Sequence, residues 1–288
     1  MPPRIHLATC RPLPEPDVDE PSLVEALRAR GAEVSVVAWH DPDVDAAAAD
    51  ACVIRSTWDY FHAHDRFLAW VERTARATRL LNPARVIGWN SDKTYLRTMH
   101  DAGVPIAPTA WFEAGAPPPR LDALLDERGW DDVVVKPTVS GGSFATLRAR
   151  RDDLAAADRH LAEHLPRRGM MVQRYVPSVD GHGERSLVWI DGELTHSIRK
   201  SPRFLGQPES VSSALPIDDA ERATAERVLR ATGTDDLLYA RIDLARDEAG
   251  TPMLMELELI EPSLFLRESP VALARLADAI VRRAVAPP

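Results

Sequence analysis

The chain is predicted to be α/β at its N-terminal end and α+β beyond it, and three observations lead there. Over residues 4–90, short apolar runs alternate with segments of helical period, the pattern of a doubly wound parallel sheet. From residue 91 onward, strands and amphipathic helices mix less regularly, as in sheets backed by helices on one face. Towards the C-terminal end, two alternating runs at residues 240–246 and 253–259 flank the turn-prone Ala249-Gly250-Thr251-Pro252 and read as a β-hairpin.

Residues 5–8, 34–38 and 52–54 have the length and composition of buried parallel strands. Helical spacing marks residues 22–29 and 66–77. Pro12, Pro14, Pro16 and Pro21 draw out a long loop after the first strand. Ligands of such sheets sit beyond the carboxyl ends of the strands, which singles out the loop at residues 9–20 and Arg55-Ser56-Thr57-Trp58-Asp59-Tyr60. Asn90 or Ser91 is placed to cap a helix that runs to Ala102 and stops at Gly103. Pro105 and Pro108 then extend the chain. A strand at residues 132–136 leads through Ser140-Gly141-Gly142-Ser143 into a further strand from Phe144, and residues 152–165 carry an amphipathic helix. A third unit follows, with strands at residues 170–174, 184–190 and 194–199, a helix at 218–231, the hairpin and a closing helix at 270–285. The expected domains are residues 1–90, 91–169 and 170–288.

At 288 residues the chain is long enough for two or three cores. A net charge of −9 argues against a nucleic-acid partner, which is bound through basic surfaces. No apolar run approaches the length of a bilayer span, and the N-terminus lacks the blocks of a signal peptide. The two cysteines, Cys10 and Cys52, read as small buried residues in a reducing cytoplasm.

Centring the hairpin turn on Ala249-Gly250 puts Asp243 opposite Glu256 and Arg241 opposite Glu258, all on one face. Ile242, Leu244, Leu257 and Leu259 fill the other. Three carboxylates this close repel unless neutralised, and a hard divalent cation takes carboxylates together with phosphates, so a Mg²⁺–nucleotide site is the first hypothesis. A solvated acidic edge explains the cluster equally well when it is taken alone. The glycines of Ser140-Gly141-Gly142-Ser143 allow backbone N–H groups near an anion, although a plain turn has the same composition. Lys136 ends a Val-Val-Val strand, either snorkelling to water or facing a phosphate. Lys93 falls on the first turn of a predicted helix, a position otherwise typical of surface lysines. Residues 173–176 form an extended connection whose backbone suits an adenine edge, and Glu184 suits ribose hydroxyls, while either is structural if taken singly. His160 and His164 lie one turn apart on a solvent-facing helix, His62 and His64 read as polar surface, and Trp58 and Trp70 as packing residues. Cys10 lacks a base partner in sequence and is not expected to be a nucleophile.

Taken in order, Lys93, Lys136, the glycine-serine loop, residues 173–176, Glu184, Asp243, Glu256 and Glu258 form a series that resembles the ATP-grasp superfamily from residue 90 to residue 265. The resemblance implies a Rossmann-like pre-ATP-grasp domain followed by two α+β subdomains that clamp ATP. It implies that Lys93 and Lys136 contact the nucleotide phosphates beneath Ser140, Gly141, Gly142 and Ser143. Gln173, Arg174, Tyr175 and Val176 would line the adenine site, Glu184 would bind ribose, and Asp243, Glu256 and Glu258 would hold two Mg²⁺ ions. Many members carry asparagine where Glu258 stands, a departure that still suits a metal.

The RSTWDY, WNSDKTYL and ELELIEPSLFL segments, beginning at Arg55, Trp89 and Glu256, resemble the branch containing the cyclo-ligase of D-cycloserine biosynthesis. That branch implies an ADP-forming ligase that activates a small amino-acid-like carboxylate as an acyl phosphate and closes O-ureido-D-serine into a ring. An intermolecular ligase making a dipeptide or amide is the alternative, and a nucleotide-binding regulatory module is the other class. Arg241 is the candidate for the transferred phosphoryl group, with pairing to Glu258 as a compatible structural role. Arg199 or Lys200 would reach the γ-phosphate, ahead of a loop at Ser201-Pro202-Arg203-Phe204 expected to close over the site. Glu261 and Ser263, with Ser56, Thr57 and Asp59 from the N-terminal domain, are the expected substrate contacts. ATP and Mg²⁺ are the implied cofactors. The expected partner is the small carboxylate, with a homodimer left open and neither nucleic acid nor membrane involved.

Overall fold

The apolar runs near the N-terminus become β1 (Arg4–Thr9), β2 (Glu33–Ala38) and β3 (Ala51–Ser56), joined at one edge by β4 (Arg79–Leu81) in a parallel sheet of order β2-β1-β3-β4. The computed structural model describes residues 1–200 and 211–286, so the expected closing loop at Ser201–Phe204 lies outside the described residues. Side chains alternate along β3, sending Val53 to one face and Cys52 and Ile54 to the other. The first face is covered by α1 (Glu20–Ala29) through Leu23 and Leu27, the second by α2 (His64–Ala77) through Phe67 and Val71.

Two short helices follow where the sequence suggests one. Asn90 ends α3 (Ala84–Asn90) instead of capping the next helix, because its amide is used elsewhere: Nδ2 donates to Leu257 O at 2.8 Å and Oδ1 accepts from Leu259 N at 2.9 Å. The Ser91 hydroxyl turns back to Gly88 O. A turn through Lys93 then leads into α4 (Tyr95–Asp101), and Gly103, at φ 80°, ends it as expected.

The second sheet is antiparallel, of order β5-β8-β6-β7, built from β5 (Thr109–Phe112), β6 (Asp132–Pro137), β7 (Leu147–Arg150) and β8 (Met170–Arg174). Helices α5 (Leu121–Arg128) and α6 (Ala155–His164) cover it, with Leu125, Val133, Leu161 and Val172 in its core. Two expectations are corrected here. β7 begins at Leu147 and not at Phe144, because Ser143 and Ala145 hold left-handed backbone (φ 61° and 49°) that cannot join a ladder. The strand at residues 170–174, read as the start of the third unit, pairs with β5 and β6 and so belongs to the second sheet.

After α7 (Ser178–Gly181), strands β9 (Glu184–Ile190), β10 (Glu193–Lys200), β11 (Tyr239–Arg246) and β12 (Pro252–Glu258) form the third sheet, antiparallel, of order β10-β9-β11-β12. Helix α8 (Asp219–Ala231) packs on one face, its start fixed by a reciprocal Asp218–Glu221 capping box. The closing helix α9 (Pro270–Val285) buries Leu276 and Ile280 with Ile190 and Ile198 from this sheet, and Arg30, just after α1, reaches Asp278 at 2.6 Å. The third sheet is thereby tied to the first. No described helix is long and apolar enough to cross a membrane.

β12 is an edge strand, and its outward backbone groups are met from earlier in the chain, those of Leu254 by the backbone of Pro105 and Ala107 and those at its end by side chains. Tyr95 Oη accepts from Leu257 N at 2.8 Å, and Asn82 Nδ2 donates to Leu259 O at 2.8 Å. Tyr95→Phe removes the acceptor and orphans the buried Leu257 N–H between Glu256 and Glu258. The expected loss is about 1–3 kcal/mol of stability, read as a lower urea midpoint at unchanged slope; an unchanged midpoint would contradict the pairing.

Candidate active site

The hairpin has the register read from the sequence: Asp243 faces Glu256 and Arg241 faces Glu258. Ile242, Leu244, Leu257 and Leu259 are buried on the opposite face. One irregularity was not legible, a bulge that lets Leu244 oppose Leu254 and leaves Met255 without a partner residue.

Charge on this face is balanced pair by pair. Asp243, 1% exposed, accepts from Arg241 Nε at 3.1 Å, from Lys200 Nζ at 2.8 Å and from the Ser186 hydroxyl. Lys200 Nζ also meets Glu184 Oε1 at 2.5 Å. Lys136 Nζ stands 2.7 Å from Glu256 Oε1, and Arg241 Nη2 closes on Glu258. Burial by itself would raise both Asp243 and Glu256, yet Arg241 and Lys200 hold the first, and Lys136 and Lys93 the second, below the usual carboxylate range. Burial wins at Glu258, pushed up to about 7 despite Arg241, and at Glu261, pushed up to about 8 with repulsion from Glu258 adding to it.

This face opens on a cavity of about 380 Å³. Lys93, Arg241, Glu256, Glu258, Glu261 and Ser263 line it, with the loop from Ser140 to Ser143 as its lip. Lys93 sits in the turn between α3 and α4, and not on a helix as expected. It is fixed there by Lys93 N donating to Thr138 O at 2.8 Å, while its Nζ donates to Ser140 O at 2.8 Å. Gly141 stands close to an aromatic ring: a Cβ there would lie 3.2 Å from Phe61, a tight contact, and Phe61 in turn packs on Phe144 at 5.1 Å between centroids.

Other expected site residues stand apart from this cavity. Arg199 alternates with Lys200 along β10, so it points away from the acids and lies over Gly183. Gln173 is buried and donates to Thr109 Oγ1 at 3.2 Å. Arg174, Tyr175 and Val176 border a separate cavity of about 420 Å³ with Ile106 and Met253. Tyr175 carries the Arg148 guanidinium over its ring at 3.4 Å, and Glu184 is occupied by Lys200. Ser56 and Thr57 are buried behind the cavity, Ser56 Oγ 2.8 Å from Thr9 Oγ1, and Asp59 accepts from Trp39 Nε1 at 2.7 Å.

From the same segment it is Trp58, Tyr60 and Phe61 that line the cavity, and Trp58 is therefore more than a packing residue. Glu15, on the proline-rich loop, lines it too; the position of that loop beyond a strand end was the available signal. His160 is half-buried and its Nε2 lies 2.7 Å from Ala145 O, so it supports the glycine-serine turn rather than facing solvent. His64 meets Ser91 Oγ at 2.8 Å.

The residues fit Mg²⁺ in donor chemistry, since Asp243, Glu256 and Glu258 offer hard oxygen atoms on neighbouring register positions. Among the described residues, however, no three acidic, histidine or cysteine groups converge on one point. The carboxylates are instead engaged by cations, Asp243 by Arg241 and Lys200, Glu256 by Lys136 and Glu258 by Arg241. A nucleotide fits through the cations Lys93 and Arg241 on the cavity wall and the glycine-rich lip.

Cys10 and Cys52 are free and buried, and burial pushes their thiols up to about 11 and about 12. A thiolate is then scarce at pH 8, so both should resist a thiol reagent in the folded chain and react once urea is added. Rapid labelling of either one without urea would contradict the packing described.

A family model for the N-terminal domain of D-cycloserine synthetase DcsG matches residues 5–82. The cycloserine biosynthesis protein DcsG of Streptomyces lavendulae is 35% identical over 288 aligned positions, covering 93% of this chain and 94% of that protein. The crystal structure of D-cycloserine synthetase DcsG superposes with a TM-score of 0.90 at 34% identity, over 98% of this chain and 99% of that one. The ATP-grasp ligase PsnB, solved with a minimal precursor, Mg and ADP, shares the fold at a TM-score of 0.66 and 21% identity, covering 98% and 97%.

Proposed function

The chain belongs to the D-cycloserine synthetase family of ATP-grasp ligases and is an ATP-dependent ligase, and on that premise we propose that it closes O-ureido-D-serine to D-cycloserine. The observation that carries this reading is the union, around one cavity, of a glycine-serine lip, cations placed for phosphates and carboxylates placed for Mg²⁺. The γ-phosphoryl group of ATP passes to the substrate carboxylate and ADP leaves. The oxygen-bound ureido nitrogen of the same molecule attacks the acyl carbon and gives up its proton as phosphate departs, and one water then releases the carbamoyl group as carbamate, which breaks down to carbon dioxide and ammonia.

Phosphoryl transfer needs positioning and charge neutralisation more than covalent help from side chains. Lys93 and Lys136 hold phosphate oxygens, and the N–H groups of Gly141, Gly142 and Ser143 cover them. Lys200, shared between Glu184 and Asp243, is the reserve cation for the γ-phosphate. Arg241 neutralises the acyl phosphate from the cavity wall. When bound, Mg²⁺ supplies positive charge to the phosphate oxygens; Asp243, Glu256 and Glu258 would hold it, and two ions match three carboxylates. Glu261 and Ser263 orient the substrate, Glu261 towards its ammonium group. The adenine is assigned to the neighbourhood of Gln173, Arg174, Tyr175 and Val176, with Glu184 towards the ribose. Trp58, Tyr60 and Phe61 give the cavity an aromatic wall beside the site assigned to the acyl phosphate.

Asp243→Asn and Glu256→Gln should each lower ADP release about 100-fold or more, with the far-ultraviolet dichroism unchanged. Wild-type rates in both variants would rule out the metal assignment. A panel of amino-acid-like carboxylates, scored by ADP release and product mass, should single out O-ureido-D-serine and yield the cyclised product. A product heavier by a second amino acid would replace ring closure with intermolecular ligation.

A further inference from the structure

The chain that follows β12 carries Glu261 and Ser263 to the cavity wall, yet belongs to no helix or strand there. Irregular backbone has no ladder to fix it, so something else must set where these two side chains stand. Most of its fixings come from the N-terminal domain, and Arg241 Nη1 adds one at Ser263 O, 3.4 Å away. Trp58 Nε1 donates to Glu261 O at 3.0 Å, and Arg55 Nη2 donates to Pro262 O at 3.1 Å. Asp19 takes the next two groups, accepting from Leu264 N at 3.0 Å through one carboxylate oxygen and from Leu266 N at 2.8 Å through the other. Between those two amides Phe265 stands at φ 51°, a left-handed conformation that a non-glycine residue holds only when its surroundings enforce it.

Asp19 and Arg55 are 1% and 3% exposed, and neither lines the cavity. Both are charged groups buried at an expense in solvation that packing alone does not require. The Arg55 guanidinium also lies over the Tyr239 ring, 5.4 Å from its centroid, while the Tyr239 hydroxyl sits 2.6 Å from Ile54 O and 2.7 Å from Ile260 O. The end of β3, the start of β11 and the approach to Glu261 are thus one hydrogen-bonded unit.

We propose that Asp19 and Arg55 are positioning residues for the carboxylate substrate: by clamping the backbone from Pro262 to Leu266 they set where Glu261 and Ser263 meet it. This rests on the substrate role given to Glu261 and Ser263 above. The nucleotide side of the cavity, at Lys93, Lys136 and the glycine-serine lip, hangs on α3, α4 and the second sheet, none of which carries Asp19 or Arg55. Loosening the clamp therefore affects one substrate and spares the other.

The test is a steady-state comparison of Asp19→Asn, Arg55→Gln and Arg55→Lys with the unsubstituted chain, following ADP release. Asp19→Asn and Arg55→Gln should raise KM for the carboxylate substrate tenfold or more while KM for ATP stays within twofold. Arg55→Lys, which keeps one donor for Pro262 O, should recover part of the loss. Hydrogen exchange needs no turnover and serves as the second arm: Asp19→Asn should speed exchange in the peptide spanning residues 261–266 at least tenfold and leave residues 239–258 unchanged. Equal rises in both KM values, unchanged exchange at 261–266, or failure of all three variants to fold would overturn the proposal. If the unsubstituted chain ignores O-ureido-D-serine, the proposed function fails, while the exchange arm still decides whether the clamp exists.

Discussion

A buried carboxylate must be neutralised, and the architecture around Asp243 follows from that requirement. With 1% of its surface exposed, Asp243 survives as an anion only because Arg241 and Lys200 both reach it. Lys200 is shared with Glu184 and Arg241 with Glu258, so the balance spreads across β9, β10, β11 and β12. Lys136 brings the second sheet into the same network through Glu256. The second and third sheets are thereby linked by charge as well as by apolar packing, with Met171 of β8 in one cluster with Leu187 and Leu254. Arrival of a divalent cation and a polyphosphate would re-sort these pairs, metal to carboxylate and ammonium to phosphate, without leaving any charge unmatched.

A second constraint acts on geometry. From Leu257 to Leu266 the chain runs past an edge strand and then without regular structure, and its polar backbone groups are met by side chains: Tyr95, Asn90, Asn82, Trp58, Arg55 and Asp19. These come from all parts of the first hundred residues. The three segments that carry the family resemblance, starting at Arg55, Trp89 and Glu256, are therefore in contact with one another. Their common role in the fold is to hold the acidic hairpin and its exit in place against the N-terminal sheet.

Much of this was legible because the periodic parts of a sequence report directly on which side chains share a face. The cross-strand pairs Asp243–Glu256 and Arg241–Glu258 follow from alternation and a turn position, as does the burial of Ile242 and Leu257. Features set by tertiary partners were harder to read. Asn90 suits a helix cap by composition, but its amide is claimed by Leu257 and Leu259, atoms far away in sequence. The strand Met170–Arg174 was recognised, while its sheet was not, since strand pairing leaves no mark on a single strand. In the RSTWDY segment attention to short polar residues picked Ser56 and Thr57, which are buried, and Asp59, which is taken by Trp39. The long side chains Arg55 and Trp58 instead reach the backbone of residues 261 and 262, and backbone acceptors are invisible in a sequence. A Mg²⁺ site on the three carboxylates was inferred from their repulsion; lysine and arginine relieve that repulsion first.

The central claim is that these carboxylates exchange their cationic partners for metal when nucleotide binds. A crystal structure with Mg²⁺ and a non-hydrolysable ATP analogue measures this most directly. The account predicts oxygen atoms of Asp243, Glu256 and Glu258 at about 2.0–2.1 Å from bound metal, with Lys136 and Arg241 turned to the phosphates or the acyl position. Nucleotide and metal bound elsewhere, with the three carboxylates still paired to Lys136, Lys200 and Arg241, would contradict it.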